Sequence, residues 1–153
     1  MNDVLNRIAD LGIVPVIKID DPNKAVPLAR AMCAGGLPLA EITFRTAHAE
    51  EAIKNIAREV PEMLVGAGTV ISCEQADRAL DAGARFIVSP GLNEKVVRYC
   101  QDRGVPVTPG CASPSDIERA IECGLSVVKF FPAEQLGGLN TIKAVAAPYP
   151  QMK

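Results

Sequence analysis

Two charged residues stand inside apolar runs. Glu41 interrupts Leu39-Ala40-Glu41-Ile42, and Lys129 interrupts Val127-Val128-Lys129-Phe130-Phe131. Neither has an opposite charge beside it in the chain. A charge held among apolar side chains is costly unless it is paired or put to use. One reading makes Glu41 and Lys129 a buried ion pair that serves only the structure. The other is chemical: a lysine stripped of water has a lowered pKa and a free amine. Such an amine forms Schiff bases with carbonyl compounds, and a nearby carboxylate can move the protons. Arg45, just beyond Glu41, is either a solvated loop residue or a fork shaped for a carboxylate. Thr69 follows Gly66-Ala67-Gly68. That stretch either turns tightly or lets backbone amides approach a ligand. Phe130 and Phe131 read first as core and second as the wall of a site.

Composition narrows the chemistry. The chain has 153 residues, Lys+Arg 16 against Asp+Glu 18, and a formal charge of -2. That balance argues against nucleic acid or an anionic membrane as the main partner. Hydrophobic residues make up 48% and charged residues 22%, enough for a packed core and too apolar for a disordered chain. With no Trp and 4% aromatics, the core is built from Ala, Val, Ile and Leu, as in parallel α/β proteins. The 1 His, at position 48, cannot make a multi-His metal site. It reads as a surface or capping residue with no chemistry. The 5 Cys (33, 73, 100, 111 and 123) never form a C-x-x-C and read as packed, reduced thiols. Lys18, Arg85 and Lys95 look like ordinary surface charge. The first residues resemble neither a signal peptide nor a membrane span, and no later apolar run reaches spanning length, so a cytoplasmic protein is expected.

The elements that hold these residues follow from repeated punctuation. Gly36, Gly83, Gly104 and Gly124 each precede a short apolar run, with 21 residues from Gly83 to Gly104 and 20 from there to Gly124. A glycine just past a helix end, followed by a strand buried on both faces, marks a βα repeat. Strands are predicted at Ile13–Ile17, Leu39–Thr43, Leu64–Thr69, Phe86–Ser89, Val107–Thr108 and Val127–Phe130. Pro15 fits its strand poorly, because proline removes a ladder donor. Helices are predicted at Asn2–Leu11, Pro22–Ala34 (capped by Asp20 or Asp21), Ala47–Glu59, from Ser72 with Gln75 as a capping box, Asn93–Arg103, after Ser113, and Gly138–Ala146. Six βα units result, with no linker, so residues 1–153 read as one α/β domain. Such units form an open doubly wound sheet or a barrel. The polar residues gather at strand C-terminal ends, where barrels assemble their sites.

Four motifs taken together resemble one family. Glu41-Ile42-Thr43-Phe44-Arg45-Thr46, Val65-Gly66-Ala67-Gly68-Thr69-Val70, Ser89-Pro90-Gly91 and Val128-Lys129-Phe130-Phe131-Pro132-Ala133-Glu134 are similar to the signatures of the 2-keto-3-deoxy-6-phosphogluconate (KDPG) and 4-hydroxy-2-oxoglutarate (KHG) aldolases. The resemblance runs from Ile13 to the end. It implies a (β/α)8 TIM-type barrel, a homotrimer, and a class I aldolase with a small 2-keto acid substrate and no metal or other cofactor. Residue by residue, it implies Lys129 as the Schiff-base lysine and Glu41 as the general acid/base. Arg45 and Thr69 match the residues that hold the pyruvate carboxylate, and Pro90 and Phe131 match the site walls.

The family has eight βα units, and six are read here, so the chain is expected to be a partial barrel that lacks the last strands and their phosphate grip. Weak stability, weak activity and a tilt toward the smaller, unphosphorylated substrate are then expected. The contrasting expectation is an inert barrel segment with a role in assembly only. An isomerase or epimerase barrel is disfavoured, since those usually want metal ligands or a base at strand ends.

Overall fold

In the computed structural model, which describes residues 2–153, helices and strands alternate along the chain. The order is α1 (Asp3–Leu11), β1 (Val16–Ile17), a 3-10 turn (Pro22–Lys24), α2 (Ala25–Ala34), β2 (Leu39–Thr43), α3 (Ala49–Glu59), β3 (Leu64–Gly68), α4 (Cys73–Asp81), β4 (Ile87–Ser89), α5 (Glu94–Asp102), β5 (Val107–Cys111), α6 (Pro114–Glu122), β6 (Lys129–Phe130) and α7 (Gly138–Ala146). Small polar side chains start several helices by accepting otherwise unpaired backbone N–H groups. Asn2 accepts from Val4, Asn93 from Lys95, and Ser113 from Asp116, whose own carboxylate completes a capping box. Asp21, rather than Asp20, caps the turn before α2. Ser72 makes only half of its expected box: it accepts from the Gln75 N–H, but the Gln75 side chain accepts from Ile71 instead. Gly83, at φ 100, ends α4 where a β-carbon would also press on Ala57.

The six strands are parallel and lie in chain order, β1-β2-β3-β4-β5-β6, forming a half-barrel with β1 and β6 at its edges. β2 and α7 run as predicted from sequence, β3 and β4 are each one residue shorter than predicted, and the other three strands differ for identifiable reasons. β1 keeps only Val16–Ile17, because Pro15 has no N–H to give; its carbonyl still accepts from the Glu41 N–H at 2.9 Å. β5 is longer than its sequence suggests and continues through Pro109-Gly110 to Cys111. Pro109 stays in register with Ser89, and Gly110 passes so close to the Pro90 carbonyl that a β-carbon there would overlap it. β6 is shorter, with Val128 bonded through its N–H to the Lys153 carbonyl.

Two cores flank the sheet. On the helical side, Ala25 and Ala29 of α2, Ala52, Ile53 and Ile56 of α3, Ala76 and Ala79 of α4, and Val96 and Val97 of α5 pack on the outward residues of the strands. On the other side, Leu39, Leu64, Phe86 and Val88 meet Val4, Ile8 and Leu11 of α1, which closes the N-terminal end of the half-barrel. A strand's side chains alternate between faces. Glu41 therefore shares the inner face with Leu39, while Ala40 and Ile42 go to the helices. With every strand parallel, all their C-terminal ends open on one rim.

Candidate active site

Glu41 on β2 and Lys129 on β6 meet at that rim, with Lys129 Nζ 3.9 Å from Glu41 Oε2. The carboxylate side chain is 4% accessible and the lysine side chain 28%. The lysine is thus less enclosed than its apolar neighbours in sequence suggested, because it lies on an edge strand. Its Nζ also sits 5.2 Å from the centre of the Phe131 ring, within range of a cation–π contact. Phe130 points the other way and lines an apolar pocket with Ile117, Ile142 and Val145. The two phenylalanines, both half-buried, thus turn to opposite sides of the strand, Phe131 toward the lysine and Phe130 toward the helices.

Burial pushes the Glu41 carboxyl above the ordinary carboxylate range, and the positive charges of Lys129 and Arg45 pull partly against it. Arg45 donates from Nε to Thr69 Oγ1 at 3.1 Å. That bond uses one edge of the guanidinium and leaves the terminal nitrogens for another acceptor. Thr69 itself has φ 57, in the left-handed region that a β-branched residue rarely adopts. Such strain, of about 1–3 kcal/mol, tends to gather at functional positions. Pro90 is half-buried at the end of β4, next to Ser89, whose hydroxyl donates to the Gly91 carbonyl at 2.8 Å.

Beneath the pair lies a cavity of about 320 Å³ lined by Glu41, Lys129, Phe86, Val88, Thr108 and Val127, among others. Thr108 was not among the sequence candidates; its position on β5 facing Lys129's strand is what brings it here. Gly66 and Gly68 have a different role from either expected one. A β-carbon at Gly66 would enter the Phe86 ring, and one at Gly68 would overlap the Glu41 carboxylate. They clear space for two large inward side chains. The signal was present in the sequence as glycines two apart, on one face of a strand.

His48 is exposed at the start of α3 and makes no capping bond with its side chain. Burial holds Cys100 and Cys111 at about 11 and raises Cys33 as well, in keeping with packed, unreactive thiols. Lys18 pairs with Asp20 at 2.7 Å, and Arg85 and Lys95 are exposed. Among the described residues, no helix is long and apolar enough to cross a membrane.

Comparison with known proteins gives consistent results. The model of the KDPG and KHG aldolase family matches residues 4–153. The 2-dehydro-3-deoxy-phosphogluconate aldolase of Treponema pallidum is 48% identical over 153 residues, which is 100% of this chain and 73% of that protein. The crystal structure of the KDPG aldolase of Zymomonas mobilis ZM4 with 3-phosphoglycerate is similar at a TM-score of 0.94 and 40% identity, covering 100% of this chain and 73% of that one. The structure of the Legionella pneumophila KDPG aldolase with pyruvate captured at low pH as a covalent carbinolamine is similar at a TM-score of 0.88 and 39% identity, over 92% of this chain and 68% of that one.

Proposed function

The chain belongs to the KDPG and KHG aldolase family, and from that premise we propose that it is a Schiff-base aldolase with Lys129 as nucleophile and Glu41 as proton carrier. The observation that carries this reading is the amine of Lys129 held 3.9 Å from a nearly sealed carboxylate at the mouth of the half-barrel. The captured carbinolamine of the Legionella relative supports a covalent route. The half-barrel is read as part of an eight-unit barrel of the family type.

The steps follow from the groups present. The neutral Lys129 amine adds to the C2 carbonyl of a 2-keto acid, giving a carbinolamine. Loss of water, with Glu41 delivering and recovering protons, leaves an iminium. Glu41 then takes the proton of the C4 hydroxyl, the C3–C4 bond breaks, and its electron pair flows into the iminium. An aldehyde departs. The remaining enamine takes a proton at C3, and water releases pyruvate and regenerates the amine. KDPG would yield pyruvate and glyceraldehyde 3-phosphate, and KHG pyruvate and glyoxylate. A carboxyl whose pKa burial raises above the ordinary carboxylate range is better suited to giving as well as taking protons. An inert scaffold has no use for a carboxylate kept out of water beside a lysine, since that arrangement costs stability.

The test is reduction with borohydride in the presence of pyruvate. A single pyruvate-derived adduct on Lys129, located by peptide mass spectrometry, is expected; an intact protein with no adduct would remove the mechanism.

Arg45 is assigned to the substrate carboxylate, through the nitrogens that Thr69 leaves unused. A charge-assisted hydrogen bond contributes about 1.5–3 kcal/mol, or roughly 10- to 100-fold in affinity. Arg45→Ala is therefore expected to raise half-saturating pyruvate by that factor in a trapping titration, with a much smaller change in the rate at saturation.

A further inference from the structure

We propose that Gly68 is the positioning residue for Glu41: by having no side chain, it forms a notch in β3 that seats one carboxylate oxygen and turns the other toward Lys129. This rests on the aldolase reading above and adds a residue that the reading does not need to name. On paired strands Gly66 lies opposite Glu41 and Gly68 opposite Thr43. The Glu41 side chain therefore runs two residues up the sheet, toward the rim, and crosses the neighbouring strand at Gly68. A β-carbon at Gly68 would overlap Oε1, Cδ and Cγ of Glu41 alike. Oε2, the oxygen outside the notch, is the one that faces Lys129 Nζ. Backbone conformation gives no reason for glycine here, since Gly68 is not among the residues with positive φ. The need is for space, and the three atoms nearest to a β-carbon there all belong to Glu41.

The notch fixes reach and direction together. A glutamate on an open face has several rotamers, and most would carry its carboxylate into water and away from the amine. Displacements of about 1 Å at a reacting group cost on the order of 100-fold in rate. The charges that face Glu41 are Lys129 and Arg45, and a carboxylate moved out of the notch would lose part of the burial that raises its pKa.

The experiment measures pyruvate-dependent borohydride trapping in four proteins: the unaltered chain, Gly68→Ala, Glu41→Ala, and the double variant. Gly68→Ala is expected to slow trapping at saturating pyruvate on the order of 100-fold, with half-saturation changed by no more than about threefold. Its acid limb should move to lower pH. In the Glu41→Ala background the same glycine substitution should change neither rate nor melting temperature, because the atoms it would strike are gone. Trapping by Gly68→Ala at the unaltered rate overturns the inference, as does an equal further loss in the Glu41→Ala background. If Gly68→Ala does not fold, the double variant decides: a folded double variant upholds the notch, and an unfolded one refutes it. Failure of the unaltered chain to trap pyruvate would instead refute the aldolase reading, so the two failures are distinguishable.

Discussion

Lys129→Met removes the pyruvate adduct altogether and lowers any aldol cleavage by at least about a thousandfold, as expected when a covalent nucleophile is lost. Methionine keeps an unbranched chain of similar reach against the Phe131 ring, so packing is largely retained while the amine is gone. Lys129 is half-buried, and among the described residues its head is held by the ion pair with Glu41 and the Phe131 ring rather than by any side-chain hydrogen bond. The fold should therefore survive, and circular dichroism should show an unchanged spectrum. One further change accompanies the loss. Lys129 is the larger of the two positive influences that draw the Glu41 pKa down against burial. Without it the carboxyl should rise further and stay protonated over a wider range. Peptide mass spectrometry after reduction gives the decisive readout: an adduct that persists on some other lysine of the variant would show that the site is misplaced.

The second large effect is expected at Glu41. Glu41→Gln keeps the size and fills the same notch but can no longer exchange a proton. Loss of a positioned acid/base typically costs about 10²- to 10⁴-fold in rate. Stability should move the opposite way. A carboxyl raised by burial holds its proton to higher pH in the folded chain than in the unfolded one. Between the ordinary carboxylate range and the raised value the folded state binds more protons, so stability falls as pH climbs through that window. Above the window the glutamate burdens the fold by an amount that the neutral glutamine does not. Glu41→Gln is thus expected to melt higher than the parent at neutral pH, with the difference shrinking as pH drops below the ordinary carboxylate range. Thermal melts across pH check the sign. A variant that is less stable at neutral pH and equally stable in acid would mean that the ion pair outweighs desolvation.

Much of this site was legible in the residues themselves. A Glu and a Lys inside apolar runs stand out, because a charge there needs a partner or a use, and the structure sets the two 3.9 Å apart. The βα repeat set both on parallel strands whose ends share a rim. β2 was legible to the residue: its run after Pro38 is mostly apolar, and its five positions are all buried. What was hidden depends on neighbours across the sheet. The roles of Gly66 and Gly68 required knowing that β3 lies beside β2 and in which register. The left-handed Thr69 had no local signal, since threonine ordinarily favours extended backbone. Pro109-Gly110 reads as a strand end in isolation, and only the pairing with β4 on one side and β6 on the other carries β5 through it. Pro15 was the reverse case, where the local rule held and the strand was cut back.

The cysteines bear on what such a catalyst must endure. An enzyme that releases aldehydes bathes its own thiols in an electrophile, and a thiolate adds readily to such a carbon. Cys111 lies one residue past Gly110, which is paired with Lys129, close to where the aldehyde would be set free. Yet its side chain is turned to the helical layer, packed with Ile117 and Ala120, and its sulfur donates toward the Asp116 carbonyl. Held at about 11, it stays protonated under neutral conditions, as does Cys100. The strand alternation that aims the lysine inward thus also aims the Cys111 sulfur away from the place where the proposed reaction would free its aldehyde.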